Sequence, residues 1–207
     1  MADDMGLRER KRDRTRRALI DAAMRLFEEK GYEQTTVAEI AAVAEVSTKT
    51  FFNYFTSKDE VLFPYLSGRI DAAVALIEQR GPRESMADVL VRAMEHMLAD
   101  AVRDEFKGGL ASARLPMIMT VPAVQAATLH RYFLAETQLA EALHRAYPHA
   151  LDPPAAAAVV GSVMGAALAA ALVCLQHGET TEQVQAAAQR AIGIAIGGLR
   201  NIDITPR

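Results

Sequence analysis

Apolar residues recur at helical spacing along nearly the whole 207-residue chain, and no run of alternating β-branched residues bounded by turns breaks the pattern. A sheet has nothing to be built from, so the expected fold class is all-α with about nine helices. Leu19, Ile20, Ala23, Leu26 and Phe27 make one face of a first helix, and Gly31 is placed to end it. Thr36 stands three residues before Glu39, the spacing of a capping box. Val37, Ile40, Ala41 and Ala44 follow at i, i+3, i+4 and i+7, one stripe of a short amphipathic helix. The connection Glu45-Val46-Ser47 then leads into Thr48 to Phe55, with Val46 expected to point inward. Two short helices joined by so brief a turn form a helix-turn-helix unit.

Ser57 with Glu60 repeats the capping-box spacing, and Pro64 is expected to kink or break the helix begun there. Further helices are expected over Tyr65 to Arg80, Ser85 to Arg103, Leu110 to Met119, Ala123 to Tyr147, Pro154 to His177 and Thr181 to Asn201. The chain thus divides into a head of three helices with an N-terminal arm, residues 1–60, and a helical body, residues 61–207.

Charge is unevenly spread. The whole chain carries −3, but Arg8 to Arg17 holds seven basic and two acidic residues, a net of +5, leaving −8 for everything else. Bulk attraction to a polyanion is excluded, while a basic segment beside a helix-turn-helix is placed to meet phosphates or a minor groove. The single Cys174 excludes an internal disulfide, and no apolar stretch follows the first charges, so a cytoplasmic location is expected.

Two rival readings have specific features behind them. Ala155 to Leu175 is 21 residues without a charge, long enough to cross a bilayer as a membrane-associated adaptor would require. Nine of those residues are alanine, and Gly161, Ser162 and Gly165 dilute it further, so a helix buried in a large interface fits better than a span. A helical metal or cofactor enzyme would need more than Glu141-x-x-His144, which lacks a second copy on a facing helix. His96, His130, His144, His149 and His177 have no paired metal spacing. No catalytic residue, metal site or cofactor is expected.

The segment from Ser47 to Phe55 mixes two residue classes. Phe51 or Phe52 with Phe55 can pack inward, while Thr48, Lys49, Asn53 and Tyr54 can face out. Asparagine suits adenine edges, lysine suits guanine or phosphate, and hydroxyls suit phosphate oxygens. Lys58, just after a capped helix start, could hold a phosphate together with amide N–H groups.

These residues resemble a known family. Thr35 to Ser47, followed by Thr50 to Leu62, is similar to the DNA-binding head of the tetracycline-repressor (TetR) family of bacterial transcriptional regulators. Members commonly have glycine where this chain has Lys49 and tyrosine where it has Phe52. The resemblance implies a homodimer that binds a palindromic double-stranded operator, most often as a repressor released by a small molecule. By position, it implies that Thr36 contacts phosphate, Ser47, Thr48 and Lys49 open the recognition helix, and Asn53 lies toward bases. Tyr54 and Lys58 would hold the DNA backbone, with Arg14 and Arg17 contributing from the arm.

In the body, the resemblance implies that the last two long helices pair with their copies, an expectation placed on Gly161, Gly165, Leu168 and Leu172. Gly161-x-x-x-Gly165 independently permits close backbone approach. A ligand cavity would lie among the middle helices, lined by Met117, Met119, Tyr132 and Phe133 with His96, Arg114, His130 and Arg131 as polar groups.

Overall fold

The computed structural model describes residues 2–106 and 116–199, and all regular structure among them is helical. The elements are α1 (Ala2–Lys30), α2 (Val37–Val43), α3 (Thr48–Phe52), a 3-10 turn (Asp59–Leu62), α4 (Leu66–Glu78) and α5 (Met86–Phe106). Residues 116–120, labelled α6, precede α7 (Pro122–Ala146), α8 (Pro153–Gln176) and α9 (Thr181–Leu199). The all-helical expectation therefore holds. Arg114 and the start of the expected Leu110 to Met119 helix lie outside the described residues.

The basic arm and the segment after Ser57 differ from the sequence-based expectation. The basic arm is not separate from the first helix, because α1 runs unbroken through it for 29 residues. Arginine, lysine and glutamate are good helix formers, and Arg10 and Thr15 each bond the carbonyl four residues back, Gly6 and Lys11. The capping box at Ser57 is not formed. Glu60 instead accepts from the backbone N–H and hydroxyl of Thr56, and the next element is a single 3-10 turn ending before Pro64. Proline, unable to donate or to fit inside a helix, separates that turn from α4.

The chain forms two compact units. The first runs to Pro64 and includes residues 116–127; the second comprises Tyr65–Phe106 and the chain from Thr128 onward. In the first, Leu19, Ile20, Ala23, Leu26 and Phe27 of α1 are all buried, with Ile40 and Ala41 of α2, Phe51 and Phe55, and Val61 and Leu62. The α1 face read from spacing is thus the one that packs.

The second unit buries Ala73 and Ile77 of α4, Val89, Leu90 and Ala93 of α5, Leu139 and Leu143 of α7, Val160 and Val163 of α8, and Ile192 and Ile196 of α9 in one cluster. Polar ties close one side of it. Arg92 forks onto Glu84 at 2.9 and 3.0 Å and reaches the Leu76 carbonyl, while Tyr147 donates to the Glu84 carbonyl at 3.0 Å. Arg80 donates to the Ala146 carbonyl at 2.8 Å and lies 4.3 Å over the Tyr147 ring.

The helix α8 starts where Asp152 accepts from the Ala155 N–H at 2.8 Å and two prolines fill the first turn, whose N–H groups need no partner. Among the described residues it is the one helix long and apolar enough to cross a membrane, and only 22% of its most apolar window is buried. Its core-facing residues are Ala156, Val159, Val160, Val163 and Cys174. Much of the rest of its apolar surface is uncovered in a single chain.

Candidate nucleic-acid interface

The helix-turn-helix is built from local chemistry. Gly31, at φ 89°, ends α1, and Thr35 is buried with its hydroxyl on the Gly31 carbonyl at 2.8 Å. Thr36 then caps α2, completing the expected box. Its hydroxyl donates to Glu39 at 2.7 Å and accepts from the Glu39 N–H, and Glu39 also takes the Thr36 N–H. Because that one hydroxyl hydrogen is on Glu39, Thr36 stands in the structure as a helix cap.

Lys30 also bonds Glu39. That ammonium, followed by the Thr36 hydroxyl and backbone, holds the Glu39 carboxyl down to about 2 from the usual 4.5. A carboxyl depressed by folding stabilises the head above its unfolded value and loses that contribution as pH falls from about 4.5 toward 2. Acid titration of the parent should therefore show a loss of head stability in this window, and Glu39→Gln should remove that part of the pH dependence. An unchanged profile in the variant would contradict the assignment.

The turn has no glycine, yet its backbone needs one. Glu45 sits at φ 55°. Its N–H reaches the Ala42 carbonyl at 3.1 Å and the Val46 N–H reaches the Ala41 carbonyl at 2.9 Å, the two bonds of a Schellman ending for α2. Val46 is half-buried. A non-glycine residue in this left-handed region costs about 1–2 kcal/mol, offset in part by the ~0.5–1 kcal/mol that glycine loses in chain entropy. Glu45→Gly should accordingly stabilise the head by about 0.5–1 kcal/mol in denaturant titration. A loss of stability would contradict the strain.

Ser47 caps the second helix, accepting from the Thr50 N–H at 3.0 Å. This helix, α3, is shorter than the Thr48 to Phe55 expectation. It covers Thr48–Phe52, Asn53 is its C-cap, and Tyr54 and Phe55 come after it in the turn. Ser47, Thr48, Lys49 and Asn53 are exposed on this element, and Tyr54 is half-buried. The choice left open between Phe51 and Phe52 resolves clearly: Phe51 is fully buried and packs at 5.6 Å on Phe55, whereas Phe52 is 55% exposed. Phe52 is the surface residue that sequence reasoning leaves out of the site. Its signal is position, since Phe51 and Phe55 share a face four residues apart and Phe52 is rotated off it.

Lys58 departs from the expectation of a residue turned to phosphate. Its Nζ donates to the carbonyls of Tyr32 at 2.7 Å and Thr35 at 2.9 Å and lies 4.1 Å from the Tyr32 ring centre. It fastens the loop between α1 and α2, and burial pushes its pKa down. One of the three ammonium N–H groups stays beyond those two bonds.

On α1, Arg14 and Arg17 are exposed. Arg14 lines a groove of about 690 Å³ with Lys11, Arg25 and the turn residues Ala44 to Val46. Asp21, on the same groove wall, tempers its charge. Arg16 is turned inward, donating to the Pro64 carbonyl with its guanidinium 4.8 Å over Phe55.

The body candidates regroup. A Cβ at Gly161 would lie 2.6 Å from Glu136 Oε1, and one at Gly165 would lie 3.7 Å from the Tyr132 hydroxyl. Both glycines therefore face side chains of α7 from the same chain. The small residue at Gly161 lets the Glu136 side chain of α7 come close to α8. Leu168 is 36% exposed and Leu172 half-buried, on a helix whose neighbour Val173 is 50% exposed.

Of the ligand candidates, Phe133 and His130 are exposed, and Tyr132, Arg131, His96, Met117 and Met119 are half-buried. Met117 and Met119 belong to the first unit and the others to the second. Tyr132 meets Phe133 at 6.0 Å, and burial followed by the Glu136 charge raises its pKa. Phe133 instead opens onto a groove of about 710 Å³ with Glu136, Thr137, Ala140, His144 and Ala157.

Glu141 and His144 have structural partners: Glu141 lies 3.8 Å from Arg145, and His144 Nδ1 is 2.8 Å from the Leu151 carbonyl. Among the described residues no three histidine, cysteine or carboxylate side chains gather as a metal would need.

Known proteins share this head and this fold. The family model for bacterial regulatory proteins of the tetR family matches residues 19–63. Over 139 residues the chain is 37% identical to TcmR, an HTH-type transcriptional regulator of Streptomyces glaucescens, covering 65% of this chain and 61% of TcmR. HbdR, an HTH-type transcriptional regulator of Aromatoleum sp. (strain CIB), is 42% identical over 69 residues, 33% of this chain and 28% of HbdR. The chain thus matches less than two thirds of the length of these relatives.

A regulator assigned to the TetR family from Mesorhizobium loti MAFF303099 has the same fold, with a TM-score of 0.52 and 18% identity over 90% of this chain and 96% of its own. SmeT in its complex with triclosan gives a TM-score of 0.56 at 14% identity, over 89% of this chain and 90% of SmeT. The family model falls on the capped, Schellman-ended helix-turn-helix, so residues 19–63 are those in which this chain is similar to the tetR family of bacterial regulatory proteins.

Proposed function

We propose that the protein is a cytoplasmic, homodimeric, sequence-specific DNA-binding regulator of transcription. It acts without catalysis or cofactor, as a repressor that a small molecule releases from a palindromic operator. The observation that carries the reading is α3, a capped helix anchored inward by Phe51 that turns Thr48, Lys49 and Asn53 outward. Those side chains are suited to phosphates and base edges. Relatives named as transcriptional regulators support it.

Dimer formation is supported by the second unit, where Leu168 and Val173 of α8 and Ile194 of α9 are exposed apolar residues, Ile194 at 78%. A second copy would cover them by a two-fold contact. Ligand binding is supported by the groove beside Phe133, and SmeT, a protein of the same fold, has been solved with triclosan. Release by a ligand then requires tighter binding to the DNA-incompetent state, by about 1–3 kcal/mol of coupling.

Alanine variants separate the roles. Asn53→Ala should relax preference among DNA sequences by about 1–3 kcal/mol, whereas Arg14→Ala or Arg17→Ala should weaken all sequences alike and lower the salt slope by about one. Titrating labelled duplexes at several salt concentrations measures both. If all three variants bind as the parent does, the interface lies elsewhere.

A further inference from the structure

We propose that Phe52 reads a thymine methyl group in each half-site of the DNA. The inference rests on the DNA-binding reading above and extends it to one base feature. Phe52 is 55% exposed, while Phe51 and Phe55 beside it are 0% and 1% exposed. It stands edge-on to Phe51, with ring centres 5.5 Å apart and planes at 84°, so the buried ring fixes the position of the exposed one. Most of the outer ring packs against nothing in the head, although an exposed phenyl is unfavourable in water.

Its neighbours define what it would meet. Lys49, Phe52 and Asn53 are three and four residues apart, so they share one side of α3, and Thr48 lies one turn before Phe52. Lysine and asparagine supply hydrogen bonds to phosphate, guanine or adenine. A phenyl has no donor or acceptor and can serve neither purpose. The apolar feature that the major groove offers is the thymine C5-methyl, a partner that phenylalanine fits.

The test uses the full chain and the strongest duplex selected from random DNA. Each thymine of a half-site, with its symmetry mate, is replaced by deoxyuridine, which removes the methyl and leaves every hydrogen-bonding group. For the parent, one such pair should weaken binding about 15-fold, or about fourfold per methyl from the burial of one carbon-sized apolar group. Phe52→Ala should bind that duplex and its deoxyuridine form equally, while melting as the parent does because the ring is largely exposed.

No sensitive thymine in the parent, or undiminished sensitivity in Phe52→Ala, would overturn the proposal. Failure to enrich any sequence would overturn the DNA-binding reading along with it, so the two failures are distinguishable.

Discussion

Replacing Phe51 by alanine should cost about 3–5 kcal/mol of head stability, the range for truncating a fully buried phenylalanine. Specific DNA binding should be lost with it. The five residues of α3 are too few to be helical alone, and Phe51 is their one buried side chain. It touches both Phe52 and Phe55, so its removal opens a void where the second helix of the helix-turn-helix is held. Thermal unfolding and duplex titration of the full chain would measure the two losses together. Parental melting with parental affinity would mean that α3 is held by something other than this packing.

The second large effect concerns the body. Asp at both Val173 and Ile194, residues 50% and 78% exposed in the single chain, should leave the protomer folded and prevent it from pairing. Each substitution would bury an unpaired carboxylate in the proposed two-fold contact, at a cost of at least about 3 kcal/mol and therefore more than 100-fold in dimer dissociation. A monomer engages one half-site, so operator affinity should fall in parallel. Sedimentation across a concentration series reads the association state. A variant that remains dimeric would move the interface away from this face, and a parent that pellets with membranes would restore the reading of α8 as a span.

Much of this architecture is legible in the sequence because its signals are local. The α1 face from Leu19 to Phe27, the Thr36–Glu39 box, the stop at Gly31 and the break before Pro64 depend on residues within a few positions of one another. The features that escape depend on distant partners or on rotation about a helix. Lys58 turns inward because the Tyr32 and Thr35 carbonyls, more than twenty residues away, need donors.

Spacing marks Gly161 and Gly165 as a small-residue stripe but cannot say that Glu136 and Tyr132 of α7 lie beside it in the same chain. Phe52 lacks the hydroxyl that would mark it as a polar contact, and only a helix axis through Phe51 and Phe55 reveals that it faces out. Glu45 gives no warning, since a glutamate in a glycine conformation is imposed by the bonds around it.

In the proposed function, the chain reads a specific palindromic sequence as a dimer through α3. Selection of duplexes from random DNA by the purified full chain, sequenced after each round, tests it most directly. The expected result is enrichment of an inverted repeat whose half-sites lose their preference in Asn53→Ala. Binding that enriches no sequence, or an enriched sequence without two-fold symmetry, would contradict it.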